Sequence, residues 1–271
     1  MERVKIVVCV KHVPDIQGER ALGTDHRMVR DGGDGTINEL DENALEAAAR
    51  IAEDAEATDG VEVIALTVGP DDAEDAARRG LQLGAHAAVH VLDDDIAGSD
   101  VIATATVLAA AIRRIGDVDL VLTGMAGLDG LTSLLPAALA DLLDLPALTL
   151  AADVRVDGDQ VTVRRDLDHA TEVLAAPLPA LVSVTDRANE PRYPNFQAIM
   201  AARKRPVETV ALADLGLDPA TVGQAGSRTE VLAAEPRPPR TEQVLVTGGA
   251  EAGRALADWL IEQGLVREGD R

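Results

Sequence analysis

Aromatic residues are nearly missing from this sequence: Tyr193, Phe196 and Trp259 are the whole complement in 271 residues. A hydrophobic fraction of 46% therefore predicts a core built from Ala, Val, Leu and Ile. Lysine is almost as scarce, with Lys5, Lys11 and Lys204 alone, so positive charge rests on arginine. A single cysteine, Cys9, excludes an internal disulfide, and its place in the apolar run Val7–Val10 marks a small buried residue. The longest mostly apolar helix candidate, Val101 to Ile112, is too short for the roughly 20 residues that span a bilayer. The N-terminus lacks the apolar core of a signal peptide. These absences point to a soluble, cytoplasmic chain without direct membrane insertion.

What is abundant is acid. A formal charge of −22 repels polyanions and argues against nucleic acid or anionic membrane as partners. Acid-rich, lysine-poor composition also suits a high-salt cytoplasm, where screening relieves self-repulsion. The alternative is an ordinary acidic protein of low-salt cells.

The first half alternates β-branched runs with amphipathic helical stretches, the pattern of a parallel sheet covered on both faces. Strands are predicted at Val4–Val10, Val61–Val68, Ala87–Val91 and Leu120–Thr123. Helices are predicted at Asp41–Asp54, Asp71–Leu83 and Asp100–Ile115, each opened by an aspartate suited to capping. A further helix should run from after Leu131 to Leu143, followed by a strand at Ala147–Leu150. Val154–Val156, Gln160–Arg164, Thr171–Ala175 and Ala180–Val184 then read as added antiparallel strands, with Asp157-Gly158 as a hairpin turn. The expected fold is α/β: a doubly wound, mostly parallel, Rossmann-like sheet with added antiparallel strands and an extended C-terminal arm. Residues 1–206 would form the nucleotide-binding domain, and residues 207–271 the arm. Within the arm, Glu235–Arg240 reads as a linker, Thr241–Thr247 as a short strand and Ala250–Gln263 as a helix.

Ligands of open parallel sheets bind beyond the carboxyl ends of the strands, where strand order reverses. The loop Gly124–Ser133 follows a strand and carries three glycines, with Thr132 and Ser133 where a helix should begin. Free backbone N–H groups and a helix dipole there make a seat for phosphate, although glycines also serve any tight connection. Neither a P-loop nor a Gly-x-Gly-x-x-Gly fingerprint is present. His86 and His90 lie beside and within a strand and share no helical face, which argues against a metal site. No nucleophile elbow or triad context is visible, so no catalytic side chains are expected.

Residues 189–206 break the composition, carrying Pro191, Pro194 and Pro206, two of the three aromatics and the basic cluster Arg203-Lys204-Arg205. Here Asn189-Glu190-Pro191-Arg192-Tyr193, with Ile199-Met200-Ala201-Ala202-Arg203-Lys204, resembles the beta subunit of electron-transfer flavoproteins. The opening Val8–Asp15, Asn38 with Glu42, Val68-Gly69-Pro70 and Gly80–Ala85 match in order and spacing. The resemblance spans about residues 3–215.

The resemblance implies a heterodimer with a larger alpha subunit that holds most of a redox-active FAD, while this chain binds a second adenine nucleotide, AMP or a second FAD. Family correspondence puts that nucleotide at Cys9, Asn38, Glu39, Leu40, Asp41, Val68 and the loop Gly124, Met125, Ala126, Gly127, Leu128, Asp129, Gly130, Leu131, Thr132, Ser133, Leu134, Leu135. Met125 and Ala126 stand where the family has Lys and Gln, Leu131 and Leu134 where it commonly has Asp and Gln, and Glu39-Leu40 where it has Pro-Phe. The segment around Tyr193, Phe196, Ile199, Met200, Arg203 and Lys204 resembles the loop that docks partner dehydrogenases, with Phe196 at the anchor position. The resemblance implies electron transfer from flavin-dependent dehydrogenases towards a quinone reductase or another acceptor, with the arm packing on the alpha subunit.

Two other readings stay open. In one, the second FAD makes the complex electron-bifurcating. In the other, Gly124-Met125-Ala126-Gly127 belongs to a stand-alone ATP-binding module of the universal-stress type.

Overall fold

The computed structural model describes residues 4–18, 21–30, 33, 35–55, 60–235, 237–239 and 245–266. In chain order its elements are β1 (Val4–Cys9), β2 (His12–Pro14), β3 (Gly35–Ile37), α1 (Glu39–Ala55), β4 (Val61–Val68), α2 (Glu74–Gln82) and β5 (Ala87–Val91). Then come α3 (Val101–Ile115), β6 (Leu120–Gly124), α4 (Leu135–Leu143), β7 (Ala147–Ala151), β8 (Asp153–Asp157), β9 (Gln160–Asp166) and β10 (Thr171–Pro177). β11 (Ala180–Val184), α5 (Phe196–Lys204), β12 (Glu208–Val210), α6 (Gly223–Gly226) and α7 (Ala250–Glu262) complete the described chain. The chain divides into two units, Met1–Leu232 and Ala233–Arg271.

The first unit is an α/β fold around a seven-stranded sheet of order β12-β5-β4-β1-β6-β11-β7. Every neighbouring pair is parallel. β1 is the pivot: the chain winds outward through β4 and β5 on one side, then returns to β6 on the other. Strand order therefore reverses between β1 and β6, the position where doubly wound sheets open a crevice.

Period-2 alternation sends successive residues of each strand to opposite faces. Ile6 and Val8 of β1 join Leu120 and Leu122 of β6 against Leu45 of α1 and Leu81 of α2. Val7 and Cys9 join Val121 of β6 against Leu108 and Ile112 of α3 and Leu139 of α4. Both clusters are aliphatic, as composition predicts. Asp100 caps α3 by accepting from the backbone N–H of Ile102 and Ala103 at 3.0 and 2.9 Å.

β8, β9 and β10 form the added antiparallel sheet, and Gly158 takes φ 61° in the β8–β9 turn. Ala180–Val184 departs from the antiparallel expectation. As β11 it lies parallel between β6 and β7, because its five residues are all buried and need cover on both faces. Two short elements escaped the sequence pattern: the β2–β3 hairpin and β12, which extends the sheet beside β5. Each has three residues, too few for a period to show.

The helix expected to open at Thr132 and Ser133 starts later, at Leu135, after the uncapped Leu134. Leu131 adopts φ 52°, outside the helical region, and donates its N–H to Gly127 O at 2.7 Å, so the chain curls before it can coil. In the second unit, α7 leaves Leu256, Trp259 and Ile261 exposed. The expected strand Thr241–Thr247 lies partly outside the described residues, and its described part, 245–247, forms no strand.

Candidate functional site

A cavity of about 880 Å³ opens beyond the carboxyl ends of β1 and β6, at the reversal of strand order. Cys9 ends β1, Val68 ends β4, Thr123 and Gly124 end β6, and all four line it. The N-termini of α1 and α4 approach from opposite sides of the sheet.

Two side chains at the start of α1 stitch the strand ends together. Asn38 donates Nδ2–H to Ala126 O at 3.0 Å, and its Oδ1 accepts from Leu128 N–H at 3.0 Å. Asp41 accepts from Lys11 N–H at 2.8 Å and from Gly124 N–H at 3.3 Å. Burial raises the Asp41 carboxyl to about 7, against the pull of the Asn38 side chain and the two backbone donors. Cys9 is raised too, first by burial and then by the Asp41 charge, so its thiol stays protonated at neutral pH. Gly124 is needed for this closeness: a Cβ there would stand 2.5 Å from Asp41 Oδ1 and 2.8 Å from the backbone carbon of Leu40.

At the rim, Asp129 is a buried carboxylate between two cations. Lys11 Nζ lies 2.8 Å from its Oδ2, and Arg30 donates to the same oxygen from Nε at 2.8 Å and Nη2 at 2.6 Å. Burial alone would raise this carboxyl, but the charges of Lys11 and Arg30 hold it down at about 2. Two half-exposed cations against one anion leave local positive charge in a strongly acidic chain. The two cations give this rim the chemistry to hold a phosphate.

Of the expected nucleotide residues, Cys9, Asn38, Asp41 and Val68 line the cavity, as do Gly124, Ala126, Gly127, Asp129, Gly130, Thr132 and Leu135. Glu39 points to solvent, while Leu40 is buried beneath Gly124. Met125, Leu128, Leu131, Ser133 and Leu134 stay outside the lining, although Leu128 contributes its N–H to Asn38. Sequence reading missed Lys11, Arg27 and Arg30, whose signal was a cluster of cations in a chain otherwise rich in acid. It also missed the far wall at Gly98–Thr104 and Gln224–Val231, which carries no motif. Arg27 reaches that wall by donating to Gly98 O at 2.9 Å, and Arg228 N–H bonds Asp100 Oδ2 at 2.8 Å.

The motif 189–193 lies away from this cavity, on α1. Asn189 donates Nδ2–H to Asn43 O at 2.9 Å, and Asn43 returns a donor to Asn189 O at 2.9 Å. Arg192 bonds Glu46, and the pairing outweighs burial to lower the Glu46 carboxyl. Beyond this anchor, Tyr193 is 91% exposed and Phe196 78% exposed. Phe196 opens α5, which Asn195 caps by accepting from Ala198 N–H at 2.9 Å. Arg203 and Lys204 are exposed in the last turn of α5, Met200 is exposed and Ile199 half-buried. The arrangement is a rigid platform presenting aromatic rings next to positive charge.

Among the described residues there is no metal-type cluster of His, Cys, Asp or Glu, and no helix long and apolar enough to cross a membrane. A family model described as "Electron transfer flavoprotein domain" matches residues 26–215. The chain is 40% identical over 264 residues to the electron transfer flavoprotein subunit beta of Mycobacterium tuberculosis, covering 96% of this chain and 99% of that one. It is 32% identical over 266 residues to the subunit of the same name from Megasphaera elsdenii, covering 96% and 97%. The Caffeyl-CoA reductase-Etf complex subunit CarD of Acetobacterium woodii is 33% identical over 245 residues, covering 90% and 92%.

Proposed function

Because the chain belongs to the beta-subunit family of electron transfer flavoproteins, we propose that it works as the beta subunit of a heterodimer that carries electrons from flavin-dependent dehydrogenases to a quinone reductase or another acceptor. The observation that carries this reading is a relationship extending over nearly all of both chains. It sets aside the stand-alone ATP-binding module, which would account for neither the second half of the sequence nor the exposed aromatic platform.

The redox chemistry is supplied by FAD, bound mainly through the alpha subunit. This chain's own residues bind, orient and dock. The cavity between β1 and β6 suits a structural nucleotide: Lys11 and Arg30 meet the phosphate, and the mostly aliphatic lobe beside Cys9 takes the base. Thr123 supports this fit, since its buried Oγ1 lacks a hydrogen-bond partner among the described residues. AMP is the reading we favour. The cavity volume also admits a second FAD, and the likeness to a subunit of a reductase–Etf complex supports keeping the bifurcating reading beside it.

Docking follows from the platform on α1. Burying Phe196 and Tyr193 in a partner's pocket supplies affinity, while Arg203 and Lys204 steer acidic partners. α7 packs on the alpha subunit through Leu256 and Trp259, which share one side of the helix and are exposed.

The test is composition. The chain is co-expressed with candidate alpha subunits in high salt, and flavin and adenine nucleotide are counted after denaturing the purified complex. One FAD and one AMP per heterodimer supports the carrier, and two FAD molecules support bifurcation. A chain that finds no partner and carries no flavin removes the proposal.

A further inference from the structure

The cavity floor contains a group that the contacts described so far leave unused. Thr123 is 2% exposed and lines the cavity, yet its hydroxyl bonds no other described group. Buried hydroxyls nearly always find a partner, and one left without a partner costs stability that an apolar side chain of the same shape would not. Among the described residues Thr67 is the other such case, 0% exposed on β4, two strands away across β1, but it does not line the cavity. The two orphans share their chemistry, but Thr67 faces the α1–α2 side of the sheet with Val63 and Ala65, and only Thr123 reaches the cavity.

The surroundings of Thr123 define what could complete it. By strand alternation it shares the α3–α4 side of the sheet with Val121 and with Cys9 of β1. Leu108 of α3, Leu135 and Pro136 of α4 and Val68 of β4 line the same cavity with Thr104, one turn before Leu108, so this lobe is mostly aliphatic. Cys9 adds a protonated thiol and no charge. Of the charged groups that line the cavity, Lys11, Arg30 and Asp129 form the rim, Asp41 belongs to α1 on the other face of the sheet, and Asp25, Arg27 and Asp100 complete the set.

A mostly aliphatic slot with a buried, uncommitted hydroxyl at its floor suits a flat, neutral heteroaromatic ring. Such a ring buries both faces and needs a single polar contact at its edge. A hydroxyl can donate or accept, and rotation about χ1 exchanges it with the methyl at constant volume, so it can meet an amino group or a ring nitrogen. We propose that Thr123 is the specificity-determining residue of this cavity, hydrogen-bonding the in-plane edge of the nucleotide's base and thereby selecting adenine. This rests on the nucleotide-binding reading of the cavity and adds to it the residue that reads the base.

The two orphan threonines furnish the experiment. Nucleotide-depleted heterodimer is titrated with AMP, IMP and purine riboside 5′-monophosphate, following heat release and thermal unfolding. The wild type should favour AMP over the unsubstituted purine. Thr123→Val should bind AMP about tenfold more weakly, the worth of one neutral hydrogen bond, and should lose the discrimination between bases. Without nucleotide the same variant should be no less stable than the wild type, because it removes an unpaired buried hydroxyl. Thr123→Ser should retain AMP affinity within about twofold, and Thr67→Val should match the wild type in every titration. Thr123→Val with unchanged AMP affinity and unchanged base preference overturns the inference while leaving the cavity a nucleotide site. A wild-type complex that takes up neither AMP nor FAD overturns the nucleotide reading itself.

Discussion

Arg192 Nε lies 2.6 Å from Glu46 Oε2, joining residues 146 positions apart in the sequence. Arg192 also bonds Glu53, and these pairings raise its guanidinium pKa still further above the ordinary range. Glu46 is almost wholly buried, and among the described residues Arg192 and Arg50 satisfy its charge. The pair locks the docking segment to α1, and the rings beyond it project from a fixed base.

Removing that lock should be costly. Arg192→Ala leaves Glu46 with Arg50 alone, and a partly orphaned buried carboxylate costs about 1–3 kcal/mol. Urea unfolding should show that loss at neutral pH. The Glu46 carboxyl is lowered by its partners, so its stabilisation is present above its unfolded pKa and is lost as pH falls through the carboxylate range. The gap between variant and wild type should therefore shrink in acid, and a gap independent of pH would show that the pair is not its source.

Asp41 should behave in the opposite sense. Its folded pKa, about 7, stands above the ordinary 3.8, so the folded state keeps a proton that the unfolded state gives up. Stability from this group is present below about 3.8 and declines as pH rises towards 7. Asp41→Asn carries no titration there. The stability of the wild type relative to the variant should fall between pH 4 and pH 7, by up to roughly 4 kcal/mol for a three-unit shift. Guanidinium unfolding across that range measures it, and parallel curves would refute it.

Phe196→Ala removes an exposed ring and should change stability by less than about 0.5 kcal/mol. If the platform docks dehydrogenases, electron acceptance should slow about tenfold or more while the flavin spectrum stays unchanged. Stopped-flow reduction by a partner dehydrogenase reads this directly, and an unaltered rate would move docking elsewhere on the complex.

Arg30→Gln leaves Asp129 with Lys11 as its one cation among the described residues. The Asp129 carboxyl should rise from about 2 towards its ordinary value, and AMP should bind about three- to tenfold more weakly as the rim loses positive charge. Calorimetry at low and high salt should show a smaller salt dependence in the variant. Equal affinity and equal salt dependence in both proteins would place the phosphate away from this rim.

The fold was largely readable because its signals are periodic. β-branched runs and helical spacing mark β1, β4, β5 and β6 with α1 to α3 between them, and no long-range information is needed to see them. What escaped depends on contacts between distant segments. β11 reads locally like the hairpin strands before it, and only its burial on both faces makes it a central parallel strand. The same holds at the site. Cys9, Asn38, Asp41 and Gly124 sit at strand ends or helix starts, where topology alone predicts a ligand. Arg30 reaches Asp129 across 99 residues, and Asp100 meets Arg228 across 128, through side chains whose destinations no local pattern encodes.

The aliphatic core has an optical consequence. Trp259 is the sole indole and lies on α7, in the second unit, while the first unit contains only Tyr193 and Phe196, both turned to solvent. Tryptophan emission therefore reports the surroundings of one helix, and no indole lies in the unit that holds the central sheet. A blue shift on mixing with an alpha subunit would time the seating of that helix, and with so few aromatic bands beneath it the absorbance of a bound adenine or flavin would stand out in the complex.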